Sequence, residues 1–372
     1  MRFLVFAPND WEEQWMNRQQ LFSRIGRKNT VTYSTGLFFS WDTKTQGYRK
    51  APNFFNVLKH RDNVDILFVS KIFCRVPKLR YLDGLIVKLF GLYINKLMGN
   101  EKVCLYLFHP KFYQQTSSVK KQLLVYHLYD DLSLQRGYEL YREDDETLLI
   151  EADVVLCSSK LLQQKIIEKT GRKDILFLPN GVDSAAFSKP RQVPAELKEI
   201  TGPKVTYTGS INEKVDLELL LSLSLELKSV NFILVGNLKG NVLPEKLITE
   251  IKRRPNIFLL GFKEKTEMIG YVQHSDVNIM IYKTDGSTWS KYIYPLKMHE
   301  YLSTGKPIIS SDIDAVREYS AHIHIASDKK SWIQAIQTAL SEPTFDDNKV
   351  KIAKLNDWEH RVDSLYRYLK LD

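Results

Sequence analysis

YPLKMHEYLSTGKPIISSD, residues 294–312, reads as a short helix that runs straight into a buried strand. Pro295 suits the first turn of a helix, where its missing N–H costs nothing. The spacing predicts a helix to Ser303, a cap at Gly305 and a strand over KPIISS (306–311). A helix amino end offers free amides and a positive dipole end, which suits a diphosphate. Lys297 and Glu300 are three apart and share a face. A cation for phosphate and a carboxylate that can grip two ribose hydroxyls are what a sugar nucleotide needs.

Outward from this segment, short apolar runs alternate with helical patterns. Candidate strands are 2–6, 65–70, 103–108, 122–127, 153–158 and 174–179, then 204–209, 231–236, 256–261, 276–282 and 306–311. The runs are continuous rather than alternating, as in parallel strands covered on both faces. The expected fold class is therefore α/β, with two doubly wound, Rossmann-like domains whose strand ends face a cleft. The segment SKPRQVPAELKEITGPK (188–204), with three prolines, marks the boundary. We expect an N-terminal domain over 1–190 and a C-terminal domain over 200–350. The helical segment 353–372, with Trp358, Val362, Leu365, Tyr366 and Leu369 on one stripe, should cross back onto the first domain.

Charge and composition narrow the function. The chain has 372 residues and a net charge of +9, and is 44% hydrophobic and 26% charged, a globular composition. Between Lys71 and Lys121 there are ten Lys/Arg against only Asp83 and Glu101, so nearly all the surplus lies in one stretch. Within it, VPKLRYLDGLIVKLFGLYINKLM (76–98) interleaves apolar residues with Lys78, Arg80, Lys88 and Lys96. Residues 75–98 thus suit a peripheral contact with an anionic membrane surface. No nucleic-acid-binding module accompanies the charge, so nucleic acid is not an expected partner. The three cysteines, Cys74, Cys104 and Cys157, are far apart, and the last two sit in apolar runs; they read as reduced, buried thiols. The first strand starts immediately, without a signal-peptide pattern, and no apolar run is long enough to span a bilayer. The expected location is cytoplasmic, on the inner face of the cytoplasmic membrane.

The segment 294–312 resembles the donor-binding signature of GT-B glycosyltransferases, particularly bacterial envelope enzymes with P-L-K-x-x-E-Y-L-x-x-G-K-P. Other stretches are similar to the same family in the same order: WEEQWMNRQQLFSRIGRK (11–28), YHLYDDLS (126–133), EADVVLCSSKLL (151–162), LPNGVDSAAF (178–187), the run from Pro255 to Tyr282 and NDWEHRVDSLY (356–366). The resemblance implies sugar transfer from a nucleotide diphosphate donor, UDP favoured, to a lipid-linked or polysaccharide acceptor of the cell envelope. It implies that Glu300 holds the ribose and Lys297 the diphosphate. Pro295, Gly209, Lys214, Ser287, Phe262 and Tyr282 would be further donor contacts, with Lys214 as the family's lysine, Ser287 around the leaving phosphates, and Phe262 and Tyr282 in the stretch that contributes to the base pocket. No cofactor and no metal are expected; the D-x-D of Asp312 and Asp314 follows a late strand, which is not a metal site in this family.

Two departures bear on mechanism. Retaining members carry a glutamate eight before the ribose glutamate, where this chain has Tyr292, and an arginine where it has Ser210. These losses fit better with a group resembling xanthan-type glucuronosyltransferases, which invert. Inversion needs a base to deprotonate the acceptor hydroxyl. Asp131, Asp130 and His127, just past a strand end, are the candidates; His127 could instead touch the donor sugar, and either aspartate could merely cap a helix. Trp11, Asp10, Arg18 and His109 are the candidate acceptor contacts, Trp11 either stacking on a sugar or packing under its loop. Two other functions remain possible on this fold: a nucleotide-sugar 2-epimerase, which would form isomer without acceptor, and a non-catalytic GT-B protein, which would bind donor without turnover.

Overall fold

In the computed structural model, residues 1–13, 15–240, 242–284 and 289–371 are described; the Ser287 expectation lies outside them. The chain forms two compact units, Met1–Pro179 with Arg361–Asp372, and Asn180–His360.

The first unit holds an eight-stranded sheet. Its strands are β1 (Arg2–Phe6), β2 (Thr30–Ser34), β3 (Val57–Arg61), β4 (Val64–Phe68), β5 (Val103–Leu107), β6 (Lys121–Leu128), β7 (Val154–Cys157) and β8 (Leu176–Phe177), in the order β3-β4-β2-β1-β5-β6-β7-β8. All pairs are parallel except β3 with β4. β2 and β3 escape a search for apolar runs, for opposite reasons. β2 is interior but reads TVTYS, with Thr32 and Ser34 buried, and Ser34 Oγ donates to Leu67 O. β3 is an exposed edge strand, VLKHR, whose apolar run ends after Val57 and Leu58. At the carboxyl end of the chain, Val362, Leu365 and Leu369 are buried, Asn29 donates to the Tyr366 hydroxyl, and the Tyr368 hydroxyl donates to Phe177 O.

The second unit holds a wholly parallel six-stranded sheet. Its strands are β9 (Lys204–Thr208), β10 (Asn231–Val235), β11 (Ile257–Leu259), β12 (Val277–Met280), β13 (Ile308–Ser311) and β14 (His324–Ala326), ordered β11-β10-β9-β12-β13-β14. Parallel strands at this density require both faces covered, and Val205, Leu234, Ile279 and Ile309 form its core with Leu220, Leu223, Trp332 and Ile336. The division between units falls before the proline-rich stretch, because that stretch is stitched to the second unit. Gln273 donates to the carbonyls of Phe187 and Lys189, and Glu196 takes both the Lys263 ammonium and the Tyr271 hydroxyl.

Candidate active site

The donor segment folds locally as its sequence dictates. A helix covers Leu296–Leu302, with Pro295 at its amino cap, Ser303 at its carboxyl cap and Gly305 in the left-handed region at φ 67°. At two turns it carries a weak dipole, so charge recognition falls mainly on its side chains. Tyr301 ties the helix to the sheet: its hydroxyl accepts the Thr208 N–H at 2.9 Å, at the carboxyl end of β9. At the neighbouring strand ends, Tyr282 N donates to Ser311 Oγ at 2.8 Å, and that hydroxyl donates back to Tyr282 O.

This framework places Lys297 and Glu300 at the carboxyl edge of the sheet, where open α/β sheets bind ligands. The Lys297 ammonium lies 3.7 Å above the Tyr207 ring centroid and 5.0 Å from that of Tyr282. Burial lowers its pKa to about 7, against the opposing pull of Glu300. Burial likewise raises the Glu300 carboxyl, opposed by Lys265 and then Lys297; Lys265 Nζ stands 3.6 Å from it. Tyr207 and Lys265 carry no signal in the sequence, because neither lies near the motif; only folding brings them to it. Phe262, exposed, follows Gly261, whose carbonyl accepts the Gly236 N–H. Lys214 sits in the loop after β9, its carbonyl accepting the Lys283 N–H.

Gly209 needs to be glycine twice over. Its φ of 119° strains any side chain, and an added Cβ would lie 3.1 Å from the Lys297 ammonium. Gly236 is tighter still, its Cβ falling 1.9 Å from Gly209 O. Gly209→Ala should lower stability by about 1–3 kcal/mol from backbone strain and weaken nucleotide binding by displacing Lys297. Thermal melts with and without UDP measure both effects.

In the first unit the candidate residues separate. Asp131 caps the turn Leu132–Leu134: Oδ1 accepts the Ser133 N–H and hydroxyl, and Oδ2 pairs with Lys165 at 2.5 Å. Both of its oxygens are committed, which suits a structural carboxylate better than a base. Asp130 is half-buried and gives one oxygen to the Asp131 N–H. His127 is 1% exposed. The Tyr106 hydroxyl lies 2.7 Å from its Nδ1 and has no other acceptor among the described residues, so it donates and leaves the ring proton on Nε2. Burial, aided by Arg18, lowers the His127 pKa to about 3. The ring is therefore a neutral donor, and the reading of His127 as a base gives way to one as a contact. Trp11 is also corrected. It is 1% exposed, edge-on to Tyr33, and its Nε1 donates to Asp62 at 2.9 Å, so it packs under its loop and has no face for a sugar. Asp10 and His109 are half-buried; Arg18 is buried. Among the described residues no group of His, Cys, Asp and Glu forms a metal cluster.

The carboxyl edge of the second sheet thus carries a buried lysine and a buried carboxylate on a double Rossmann-like scaffold. Residues 202–342 match the family model described as Glycosyl transferases group 1, and the chain is a glycosyltransferase of GT-B fold. It is 23% identical over 291 residues to TuaH of Bacillus subtilis (strain 168), named as a glycosyltransferase of teichuronic acid biosynthesis; the match covers 73% of this chain and 72% of TuaH. In fold it is similar to sucrose-phosphate synthase from Thermosynechococcus elongatus, with a TM-score of 0.74 at 14% identity, covering 99% of this chain and 98% of that one. It is also similar to HepE from Anabaena, solved with UDP and glucose, with a TM-score of 0.68 at 15% identity and 99% of each chain covered.

Proposed function

We propose that the enzyme moves a sugar from a UDP-linked donor to a lipid-linked or polysaccharide acceptor in envelope glycan synthesis, without a metal. The observation that carries this is the buried Lys297–Glu300 pair on one short helix beside Gly209. The relative named for teichuronic acid synthesis and the neighbour solved with UDP and glucose support the donor and the pathway class. Lys297 would neutralise the diphosphate as the sugar–phosphate bond breaks, and Glu300 would fix the ribose. Tyr292 and Ser210, where retaining enzymes carry glutamate and arginine, favour inversion of the xanthan type, with Asp130 as the base. UDP, GDP and dTDP compared by thermal shift should show UDP raising the melting temperature most. The anomeric configuration of the product then decides the mechanism; a retained configuration would remove the base from Asp130.

We also infer a peripheral membrane contact. The helix Arg80–Leu97 buries Val87, Phe90 and Ile94 and turns an apolar stripe outward: Tyr81 is 98% exposed, and Leu82, Leu85, Leu89 and Leu92 are exposed with it. Lys78, Arg80, Lys88 and Lys96 flank the stripe, also exposed. Inserting leucines into an interface gains about 1.5–3 kcal/mol each at full burial, and lysines add attraction to anionic lipid. Among the described residues no helix is long and apolar enough to cross a membrane. Co-sedimentation with phosphatidylglycerol vesicles should be at least about tenfold weaker for Leu85→Asp/Leu89→Asp, from the lost insertion, with UDP affinity unchanged. Equal binding of both forms would remove the stripe from this role.

A further inference from the structure

Arg18 is the second residue of the helix Asn17–Ile25 in the first unit and is 1% exposed. A buried guanidinium normally finds a carboxylate, because desolvating it unpaired is costly. Here none of the described residues places one within ion-pair distance. Its Nη1 donates to Asn9 Oδ1 at 2.6 Å, its guanidinium carbon lies 4.3 Å from the Tyr129 ring centroid and 5.4 Å from that of Phe108, and its Nε is buried with no acceptor among the described residues. The Asn9 amide that takes this bond in turn donates to the Glu13 carboxylate at 3.2 Å. The position is doubly unfavourable, since a cation at the amino end of a helix opposes the dipole and the first turn carries no acidic residue.

A second buried donor points to the same place. His127 stacks on the other neighbour of Arg18, the Phe108 ring, at 5.0 Å, and its Nε2, which carries the proton, is buried without an acceptor among the described residues. Around these two, Asn9, His109 and Lys111 form a half-buried rim at the carboxyl ends of β1 and β5. Burial and the neighbouring cations hold His109 neutral, and burial lowers Lys111 to about 8 against the opposing pull of Asp42. Two N–H donors orphaned among the described residues, a lysine, and no described carboxylate within ion-pair distance of the guanidinium or the lysine describe a receptacle for an oxyanion. Resting on the glycosyltransferase reading above, we propose that the first unit carries an oxyanion subsite, with Arg18 and His127 as its floor and Asn9, His109 and Lys111 as its rim, that takes the phosphate or carboxylate group of the sugar acceptor.

The test uses the full-length protein saturated with UDP, so that the nucleotide site is filled. Methyl phosphate and glucuronate are then titrated separately by calorimetry. One of them should bind, with affinity falling at least tenfold in Arg18→Met and several-fold in Lys111→Met, while Lys330→Met, an exposed lysine of the second unit, leaves it unchanged. Preference for methyl phosphate identifies a phosphate-bearing acceptor, and preference for glucuronate an acidic sugar. If neither ligand binds the wild-type protein, or both bind Arg18→Met and Lys111→Met as tightly as wild type, the subsite does not exist. Should Arg18→Met not fold, Lys111→Met decides alone. Loss of UDP binding in the wild-type protein would instead overturn the donor reading, so the two failures are distinguishable.

Discussion

Lys297→Met should fold at least as well as the wild type and yet lose about 2–5 kcal/mol of affinity for a UDP-sugar, at least about thirtyfold. Methionine fills nearly the same space beside Tyr207 and Tyr282 and removes an ammonium that burial disfavours. The lost partner is the diphosphate alone, so uridine should bind both proteins equally; equal UDP-sugar affinity would remove the lysine from the site. The wild-type pH dependence follows from the same lysine. Its pKa in the free protein is lowered to about 7, and a bound diphosphate must raise it. Affinity should therefore be fully present below pH 7 and fall by up to tenfold per unit above it, until the pKa of the bound state is reached. The fold shows the reverse sign. A lysine whose folded pKa lies below its unfolded value destabilises most below pH 7, and this penalty fades as pH rises through the unfolded pKa. Lys297→Met should consequently gain most in melting temperature at low pH, and calorimetric melts at pH 6 and pH 9 check it.

Glu300→Ala comes next in size. A carboxylate accepting two ribose hydroxyls makes hydrogen bonds to a charged group, worth about 1.5–3 kcal/mol each. Their loss should raise the donor KM by about a hundredfold, with a smaller change in kcat, because the ribose does not react. Lys265 is partly exposed and can turn to water once its carboxylate is gone, so the variant should stay folded. Glu300→Asp should recover part of the affinity. An unchanged KM across a donor panel would take the ribose away from this residue.

The two units differ in how much of their chemistry could be read from residue order. In the second unit, Lys297 and Glu300 share a helix face through spacing alone, and Pro295, Gly305 and the following apolar run fix where that helix starts and stops. In the first unit the candidates came from positions after strands, a weaker signal. Such positions place a residue at a sheet edge but say nothing of its partners. Asp131 turned out to serve its own turn and Lys165, and Trp11 to fill the space beneath its loop. Arg18 was visible as an acceptor candidate, but not as a cation without a countercharge, since Asn9, Phe108 and Tyr129 reach it only through folding.

Strand runs, helix stops, the proline-rich segment and the donor motif are local in the chain, and local propensity with hydrophobic period specified them. The surroundings of each charge were decided by the tertiary structure. Tyr207 stands ninety residues before Lys297. Its ring, the nearby Glu300 carboxylate and the exclusion of water together set that lysine's protonation. Such effects depend on distance and dielectric in the packed molecule, and neither is encoded in residue order.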